Sequence, residues 1–215
     1  MKNILRTKLL GIILFVLFFS NDAKASCSTT ISVATSAQLT CNVGDILNIS
    51  STGSIIRSGS KAVAANNGVG ASSTTVINHG LISATNETIN MKSASGTNKI
   101  TNSGTINTAQ NENDSNGTAV KVQKTDGTEI VNSGTIHGGN YAIQGLETDD
   151  ITITNSGTIS GNNGTAPAIY LTNGTNATIT NTGTITNLRH GIRLGKAHGS
   201  FNNATIINSG LIAGT

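Results

Sequence analysis

The sequence predicts an all-β protein, a parallel β-helix (β-solenoid) of about seven coils. Two observations carry this prediction. A seven-residue phrase recurs along most of the chain, and a short segment with alternating apolar residues stands between successive copies. Repetition at a period of 20 to 50 residues is typical of stacked architectures, in which each repeat contacts only its neighbours.

The repeated phrase is best represented by Ile100–Ile106, which reads ITNSGTI. Near-copies stand at Val76–Ile82, Ile130–Ile136, Ile153–Ile159, Ile179–Ile185 and Ile206–Ile212, and a looser one at Ile49–Ile55. Each copy reads as a strand, a tight corner and the start of another strand. Its glycines are separated by 23 to 30 residues and stand at Gly53, Gly80, Gly104, Gly134, Gly157, Gly183 and Gly210.

The second recurring segment has an apolar or small residue at its second and fourth positions and often a polar one at its third. Its copies are Ala62–Ala65, Thr88–Met91, Ala119–Val122, Ala142–Gly145, Ala168–Leu171 and Gly191–Leu194. This period-two alternation predicts a half-buried strand. The density of Gly, Asn, Ser and Thr argues against an amphipathic helix.

Three short strands in each coil predict three faces, with like residues stacked at about 4.8 Å. The first inward column is predicted to be Val63, Ile89, Val120, Ile143, Ile169 and Ile192. The second is Ile100, Ile130, Ile153, Ile179 and Ile206, and the third is Ile82, Ile106, Ile136, Ile159, Ile185 and Ile212.

The asparagine of the phrase is predicted to point inward and to form a hydrogen-bonded ladder from coil to coil. A buried amide without partners costs a few kcal/mol, so a ladder would fix the register of the stack. Its members are Asn78, Asn102, Asn132, Asn155, Asn181 and Asn208. The neighbouring glycine is expected to take a positive φ at the corner.

The first 25 residues have the pattern of a secretory signal peptide. Lys2, Arg6 and Lys8 precede the apolar run Leu9–Phe19, and Ala23–Ala25 forms an A-x-A cleavage site. The run is short for a transmembrane helix, which needs roughly 20 residues. The predicted organisation is therefore a signal peptide at 1–25, an N-terminal cap with a cysteine pair at 26–48, and β-helix repeats at 49–215.

The charge of the chain argues against nucleic-acid binding. The first 25 residues hold four of the 13 Lys and Arg and one of the ten Asp and Glu, so the remainder carries nine of each. A neutral chain lacks the basic face that nucleic acid requires. Aromatic residues are also scarce after the leader, where only Tyr141, Tyr170 and Phe201 occur, so aliphatic side chains must build the core.

Cys27 and Cys41 are the only cysteines of the chain. An even pair in an exported protein favours a disulfide that closes the first turn of the fold. Metal binding or redox catalysis would require a C-x-x-C spacing or nearby histidines, and the sequence has neither at this point.

The predicted leader, the early cysteine pair, TCNVGDILNISSTGSI at Thr40–Ile55 and the iterated phrase together resemble the passenger region of bacterial autotransporters. The resemblance covers most of the chain after the leader. It implies a right-handed β-helix that crosses the inner membrane and the periplasm and reaches the outer membrane or cell surface of a Gram-negative bacterium, as an adhesin or a stalk. It implies no specific activity, because one fold carries many functions.

The sequence departs from that family because no region of alternating strands for an outer-membrane barrel follows the repeats. We therefore expect either the N-terminal part of a longer polypeptide or an unusually short relative. Membrane association is expected only through the missing barrel. The expected partners are a host-cell surface or glycans, or other copies of the protein through open coil ends.

A carbohydrate-active enzyme, a polysaccharide lyase or a glycoside hydrolase, is the alternative function. Glycoside hydrolysis requires two carboxylates facing a sugar. The candidates are Asp126, Glu129, Glu147, Asp149 and Asp150. The competing interpretation of these residues is a solvated loop.

The remaining candidates concern surface contacts. Arg189, Arg193 and Lys196, beside His190 and His198, are candidates for contact with an anionic glycan. The pairs Thr152/Thr154 and Thr178/Thr180 resemble ice-binding arrays but are missing from other coils, and the insertion Thr108–Gly117 is a candidate binding loop. His79 and His137 lack a second ligand at metal spacing, and no cofactor is expected.

Overall fold

The computed structural model describes residues 25–71, 73–95, 97–108, 117–195 and 199–214. These residues form 26 β-strands and no helix, and the strands pair in parallel. The predicted parallel β-helix is confirmed. The predicted signal peptide, apart from Ala25, lies outside the described residues, as do 109–116 of the insertion and Lys196 and His198.

Sheet A contains the segments between the phrases and has eight strands in the described residues. Along the stack these are β1 (Ala25–Ser26), β4 (Leu39–Cys41), β7 (Lys61–Ala71), β10 (Glu87–Ser95), β13 (Thr118–Gln123), β16 (Tyr141–Leu146), β19 (Pro167–Thr172) and β23 (His190–Leu194).

Sheet B contains the first half of each phrase. Within the described residues its eight strands are β2 (Thr29–Ile31), β5 (Ile46–Ile49), β8 (Thr75–Asn78), β11 (Lys99–Asn102), β14 (Glu129–Asn132), β17 (Thr152–Asn155), β21 (Thr178–Asn181) and β25 (Thr205–Asn208).

Sheet C contains the second half of each phrase. Its strands are β3 (Ala34–Thr35), β6 (Ser54–Arg57), β9 (Leu81–Ala84), β12 (Thr105–Thr108), β15 (Thr135–Gly138), β18 (Thr158–Gly161), β22 (Thr184–Asn187) and β26 (Leu211–Gly214). Two short strands, β20 (Gly174–Thr175) and β24 (Phe201–Asn202), pair at the corner between sheets A and B. In each coil the chain passes through sheets A, B and C in turn.

The three predicted inward columns are confirmed by the strand register. Val63, Ile89, Val120, Ile143, Ile169 and Ile192 are paired in succession in sheet A, and the phrase isoleucines are paired in the same way in sheets B and C. The columns are fully buried through most of the stack, but Ile206 is 45% exposed because no described strand pairs with the far side of β25.

The segment 26–48, predicted to be a cap, is built as part of the stack. Its strands belong to the same three sheets, with β2 paired to β5 and β3 paired to β6. Leu39 and Leu47 are buried in the same core as the repeats. Stacked coils therefore begin before the first phrase in this structure.

Candidate functional site

The asparagine ladder predicted from the phrase is present in the structure. The side-chain amide of Asn78 donates to Oδ1 of Asn102 at 2.7 Å, and the same bond recurs at 2.7 to 2.8 Å through Asn132, Asn155, Asn181 and Asn208. The first five of these side chains are fully buried.

Each internal amide of the ladder makes more than one bond. Nδ2 of Asn155 donates to Oδ1 of Asn181, to the backbone oxygen of Thr184 at 3.1 Å and to that of Gly157 at 3.2 Å. The amide thus joins its own corner to the next coil. These asparagines are occupied by coil-to-coil contacts, which indicates a structural role.

Glycine is required in the phrase for a different reason from the one expected. None of the phrase glycines has a positive φ; the described glycines that do are Gly44, Gly127, Gly195 and Gly199. A Cβ at Gly157 would instead lie 2.1 Å from the backbone oxygen of Gly134, and the other phrase glycines have equivalent contacts at 2.0 to 2.2 Å. The expectation of positive φ was wrong, and glycine is required because successive corners approach too closely for a side chain.

Cys27 and Cys41 form a disulfide, and their Cα atoms are 4.6 Å apart. Ser26 pairs with Thr40 immediately before them, so the two cysteines stack in adjacent coils of sheet A. Both are fully buried, and the position of Cys41 is taken in later coils by Ala65 and Met91. The bond therefore joins two coils at a core position.

The carboxylates considered for catalysis lie near the corner between sheets A and B. Asp149 Oδ1 accepts hydrogen bonds from the backbone N–H and the hydroxyl of Thr175, at 2.8 and 2.9 Å. Asp150 Oδ1 accepts one from Nδ2 of Asn176 at 3.1 Å. These two carboxylates bind groups of the next coil.

Two of the other candidate carboxylates lie beside lysines, and the third lies one coil from Asp149. Glu129 lies 2.7 Å from Nζ of Lys99, and Glu147 lies 3.6 Å from Nζ of Lys124. Asp126 is bridged to Asp149 through the backbone. The contacts of Glu129 and Glu147 are exposed ion pairs, which contribute little to stability.

The described histidines and acidic residues do not converge on one point. Within the described ranges, no group of three or more His, Cys, Asp or Glu side chains is placed to hold a metal ion. His79 Nδ1 contacts the hydroxyl of Ser103 at 2.6 Å, and His137 Nδ1 contacts that of Ser160 at 2.8 Å. Thr152 and Thr154 pair in register with Thr178 and Thr180, but Glu129 and Val131 replace this pattern one coil earlier.

The basic residues considered for ligand contact separate into two places. Arg189 is exposed at the start of the last described coil, where Nη1 donates to the backbone oxygen of Thr165 at 3.5 Å. Arg193 points outward from β23 on sheet A, and its guanidinium carbon lies 5.6 Å from the centre of the Tyr170 ring. Lys196 lies outside the described residues.

The same outward surface carries a stacked pair of tyrosines that the sequence did not reveal. The rings of Tyr141 and Tyr170 lie 5.4 Å apart, with 17° between their planes. Tyr170 is 3% exposed and lies between Tyr141 and Arg193. Burial, followed by the charge of Tyr170, raises the pKa of Tyr141, and the nearby Arg193 only partly offsets this increase.

A cluster of charged residues lies on the same side of sheet A, in earlier coils of the stack. Glu87 contacts Nζ of Lys121 at 2.6 Å and Nζ of Lys61 at 3.5 Å, and it accepts a hydrogen bond from the amide of Asn90. Burial alone would raise the pKa of Glu87, but the hydrogen bond and charge of Lys121, the amide of Asn90 and the charge of Lys61 outweigh it and lower the pKa.

We refer to this surface as the sheet A face and define it by the outward residues Lys61, Glu87, Lys121, Tyr141, Tyr170 and Arg193. Lys121, Gln144, Tyr170 and Arg193 are consecutive partners in the register of sheet A. Three cations and one carboxylate occupy the face. The amide side chains of Gln144 and Asn90 lie on the same face.

Comparisons with protein families, characterised proteins and solved structures found no match. In the described part of the chain, no helix has the length and apolar character needed to cross a membrane.

Proposed function

We propose that this chain is an exported, surface-exposed β-helix module with a structural or adhesive role, resembling the passenger of an autotransporter. The observation that carries the proposal is the use of the repeated phrase. Its isoleucines fill the core, its asparagine joins adjacent coils and its glycine permits their close approach. The repeats therefore form a scaffold, and the outward residues between them are available to vary.

Export is supported by the sequence of the leader and by the disulfide. Disulfides form and persist in oxidising compartments such as the periplasm or the cell surface. The buried pair Cys27 and Cys41 joins two coils, so correct assembly of this end depends on such a compartment.

Export can be tested by expressing the full chain in a Gram-negative bacterium and measuring the intact mass of the product. The proposal predicts a periplasmic or extracellular protein that has lost residues 1–25 and two further hydrogen atoms. A cytoplasmic product of full mass with two free thiols would contradict it.

Adhesion can be tested with beads coated with the mature protein and exposed to host cells or to immobilised glycans. Beads carrying the folded protein should attach, and beads carrying the heat-unfolded protein should not. Equal attachment of both would exclude a specific adhesive role and leave the structural one.

We propose a non-catalytic role for the carboxylates at the corner between sheets A and B. Their contacts with Thr175, Asn176 and Lys124 support this assignment. The alternative, a carbohydrate-active enzyme, predicts cleavage of a polysaccharide that is lost in Asp126→Asn and Asp149→Asn variants. Release of reducing or unsaturated ends by the wild type alone would favour the enzyme.

A further inference from the structure

We infer that the sheet A face binds an acidic polysaccharide, with Lys121 and Arg193 contacting its anionic groups and Tyr141 and Gln144 contacting its hydroxyl groups. This inference rests on the proposed adhesive function and specifies its ligand and its site. It keeps Arg193 from the cluster that the sequence indicated and replaces Arg189 and Lys196 with Lys121, Tyr141 and Gln144.

The position of the tyrosines is the first argument. Tyr141 and Tyr170 are the only tyrosines of the chain, and their stacked rings lie on the outward side of sheet A, where Tyr141 is partly exposed and Tyr170 is 3% exposed. The stacking positions equivalent to Tyr170 in earlier coils are Lys121 and Gln144, so the stack itself does not require an aromatic residue there. Outward aromatic side chains with a polar end are enriched at binding surfaces.

The state of Arg193 is the second argument. Its guanidinium lies over the Tyr170 ring and has no carboxylate partner among the described residues. An arginine held against an aromatic ring keeps its planar set of N–H donors available, and this set matches a carboxylate in a two-bond geometry. The ring therefore positions a cation that no carboxylate of the described residues neutralises.

The charge of the face is the third argument. It carries three cations and one carboxylate, whereas the chain after the leader has equal numbers of basic and acidic residues. The described carboxylates other than Glu87 belong to other parts of the coils. Glu87 holds Lys121 at 2.6 Å, which fixes the position of this cation in the outward column that also contains Arg193.

The spacing of the cations favours a polysaccharide over nucleic acid. Lys121 and Arg193 are separated by three strand spacings, or about 14 Å, with Gln144 and Tyr170 between them. Duplex DNA presents one charge per about 1.7 Å of its axis and requires a much denser row of cations. A polymer with an occasional charge and many hydroxyl groups fits the observed mixture of cations, amide and phenol.

The test uses the mature protein with its disulfide and measures the Kd for polygalacturonate, a polymer of carboxylated sugars. Dextran, dextran sulfate and duplex DNA are the comparison polymers. The inference predicts saturable binding of polygalacturonate, at least tenfold weaker binding of dextran sulfate and DNA, and no binding of dextran. Binding of DNA as tight as that of polygalacturonate would overturn it, as would a preference for dextran sulfate.

Variants locate the binding on the sheet A face. Arg193→Gln is expected to weaken binding about tenfold, and Lys121→Gln and Tyr141→Phe severalfold. Lys99→Gln is the matched control, because it removes a cation that is paired with a glutamate, as Lys121 is, but that lies on sheet B; it should change the Kd less than twofold. Equal losses in Arg193→Gln and Lys99→Gln would overturn the assignment. Unchanged melting temperatures exclude misfolding as the cause, and Tyr141→Phe retains the ring stack.

The bead assay distinguishes failure of this inference from failure of the proposed function. If beads attach to cells but the protein does not bind polygalacturonate, the adhesive role stands and the inference is wrong. If the beads do not attach and polygalacturonate is not bound, the adhesive role fails as well.

Discussion

The corner between sheets B and C and the sheet A face belong to the same coils but repeat to very different degrees. At the corner, asparagine follows asparagine and glycine follows glycine through the stack. On the sheet A face, the position of Lys61 is taken in successive coils by Glu87, Thr118, Tyr141, Pro167 and His190.

This difference follows from what each region contacts. At the corner, each coil contacts the next directly, so each coil requires the same asparagine side chain and the same glycine. On the sheet A face, the strands need only their backbone bonds and inward residues, and the outward positions are free to differ. Repetition thus marks the scaffold, and variation marks the surface on which a specific contact can evolve.

The largest expected effect is that of Gly157→Ala, which adds one methyl group to the repeated corner. The new Cβ would lie 2.1 Å from the backbone oxygen of Gly134, so the two coils must separate. We expect the free energy of unfolding to fall by about 3 kcal/mol, the upper end of the overpacking range. Chemical denaturation of the purified protein measures it.

Gly164→Ala is the matched control for this prediction. A Cβ at Gly164 has no neighbour within 4 Å, and its φ is not positive. The same glycine-to-alanine change should therefore leave stability unchanged or raise it slightly, by up to about 1 kcal/mol. Similar losses in both variants would mean that close approach of the corners is not the reason for the repeated glycine.

The next effect is that of Asn155→Ala, which removes one member of the ladder. Asn181 Oδ1 loses its donor, Asn132 Nδ2 loses one acceptor, and the backbone oxygen of Thr184 loses a bond. A buried group left without a partner costs about 1–3 kcal/mol, so we expect a loss of about 2 kcal/mol. Thr154→Ala, at the exposed neighbouring position, should cost much less; an equal cost would contradict the ladder.

Removal of the disulfide is expected to have a comparable but more local effect. The bond closes a loop with a sequence separation of 14 residues, and such a loop corresponds to about 2–3 kcal/mol. We expect Cys27→Ala/Cys41→Ala to expose the first coils to limited proteolysis while the sheets from β10 onward stay protected. Uniform digestion along the stack would show that the bond controls the whole protein.

A smaller and pH-dependent effect is expected for Glu87→Gln on the sheet A face. Because the pKa of Glu87 is lowered in the folded protein, its ionised form stabilises the fold above the ordinary pKa of a glutamate, about 4.3. This contribution is lost as the pH falls through the lowered pKa. The wild type should exceed the variant by about 1.5 kcal/mol at pH 7.

The same Glu87→Gln measurement at a pH below the lowered pKa of Glu87 supplies the control. There the wild-type carboxyl is protonated, and the two proteins should differ much less. A difference that stays constant between the two pH values would show that packing of the side chain, rather than its charge, stabilises the cluster with Lys121 and Lys61.

The inward columns and the ladder could be predicted from the sequence because they depend only on the period of the repeats. Once one phrase is aligned with the next, Ile153 must stack on Ile130 and Asn155 on Asn132. The disulfide could be predicted because the chain has only two cysteines. Each of these features is a contact between equivalent positions.

The tyrosine stack could not be predicted because Tyr141 and Tyr170 occupy different columns of successive coils. Tyr170 pairs with Gln144, not with Tyr141. Tyr141 is the first residue of β16, and its ring nevertheless stacks on that of Tyr170. The conformation of the corner between sheets A and B could not be predicted either. The backbone has a positive φ at Glu147, Asp150 and Asn176, and these residue types indicate a positive φ less clearly than glycine does.

The most direct test of the central claim, that the repeated phrase serves contacts between coils, is hydrogen exchange of the asparagine side chains. In a 15N-labelled sample, the side-chain amide protons of Asn102, Asn132 and Asn155 should exchange with deuterium as slowly as backbone amides of the core. Those of Asn203, which is exposed, should exchange at once. If the ladder amides exchanged as fast as those of Asn203, the buried ladder would not exist in solution, and the asparagine of the phrase would not join the coils.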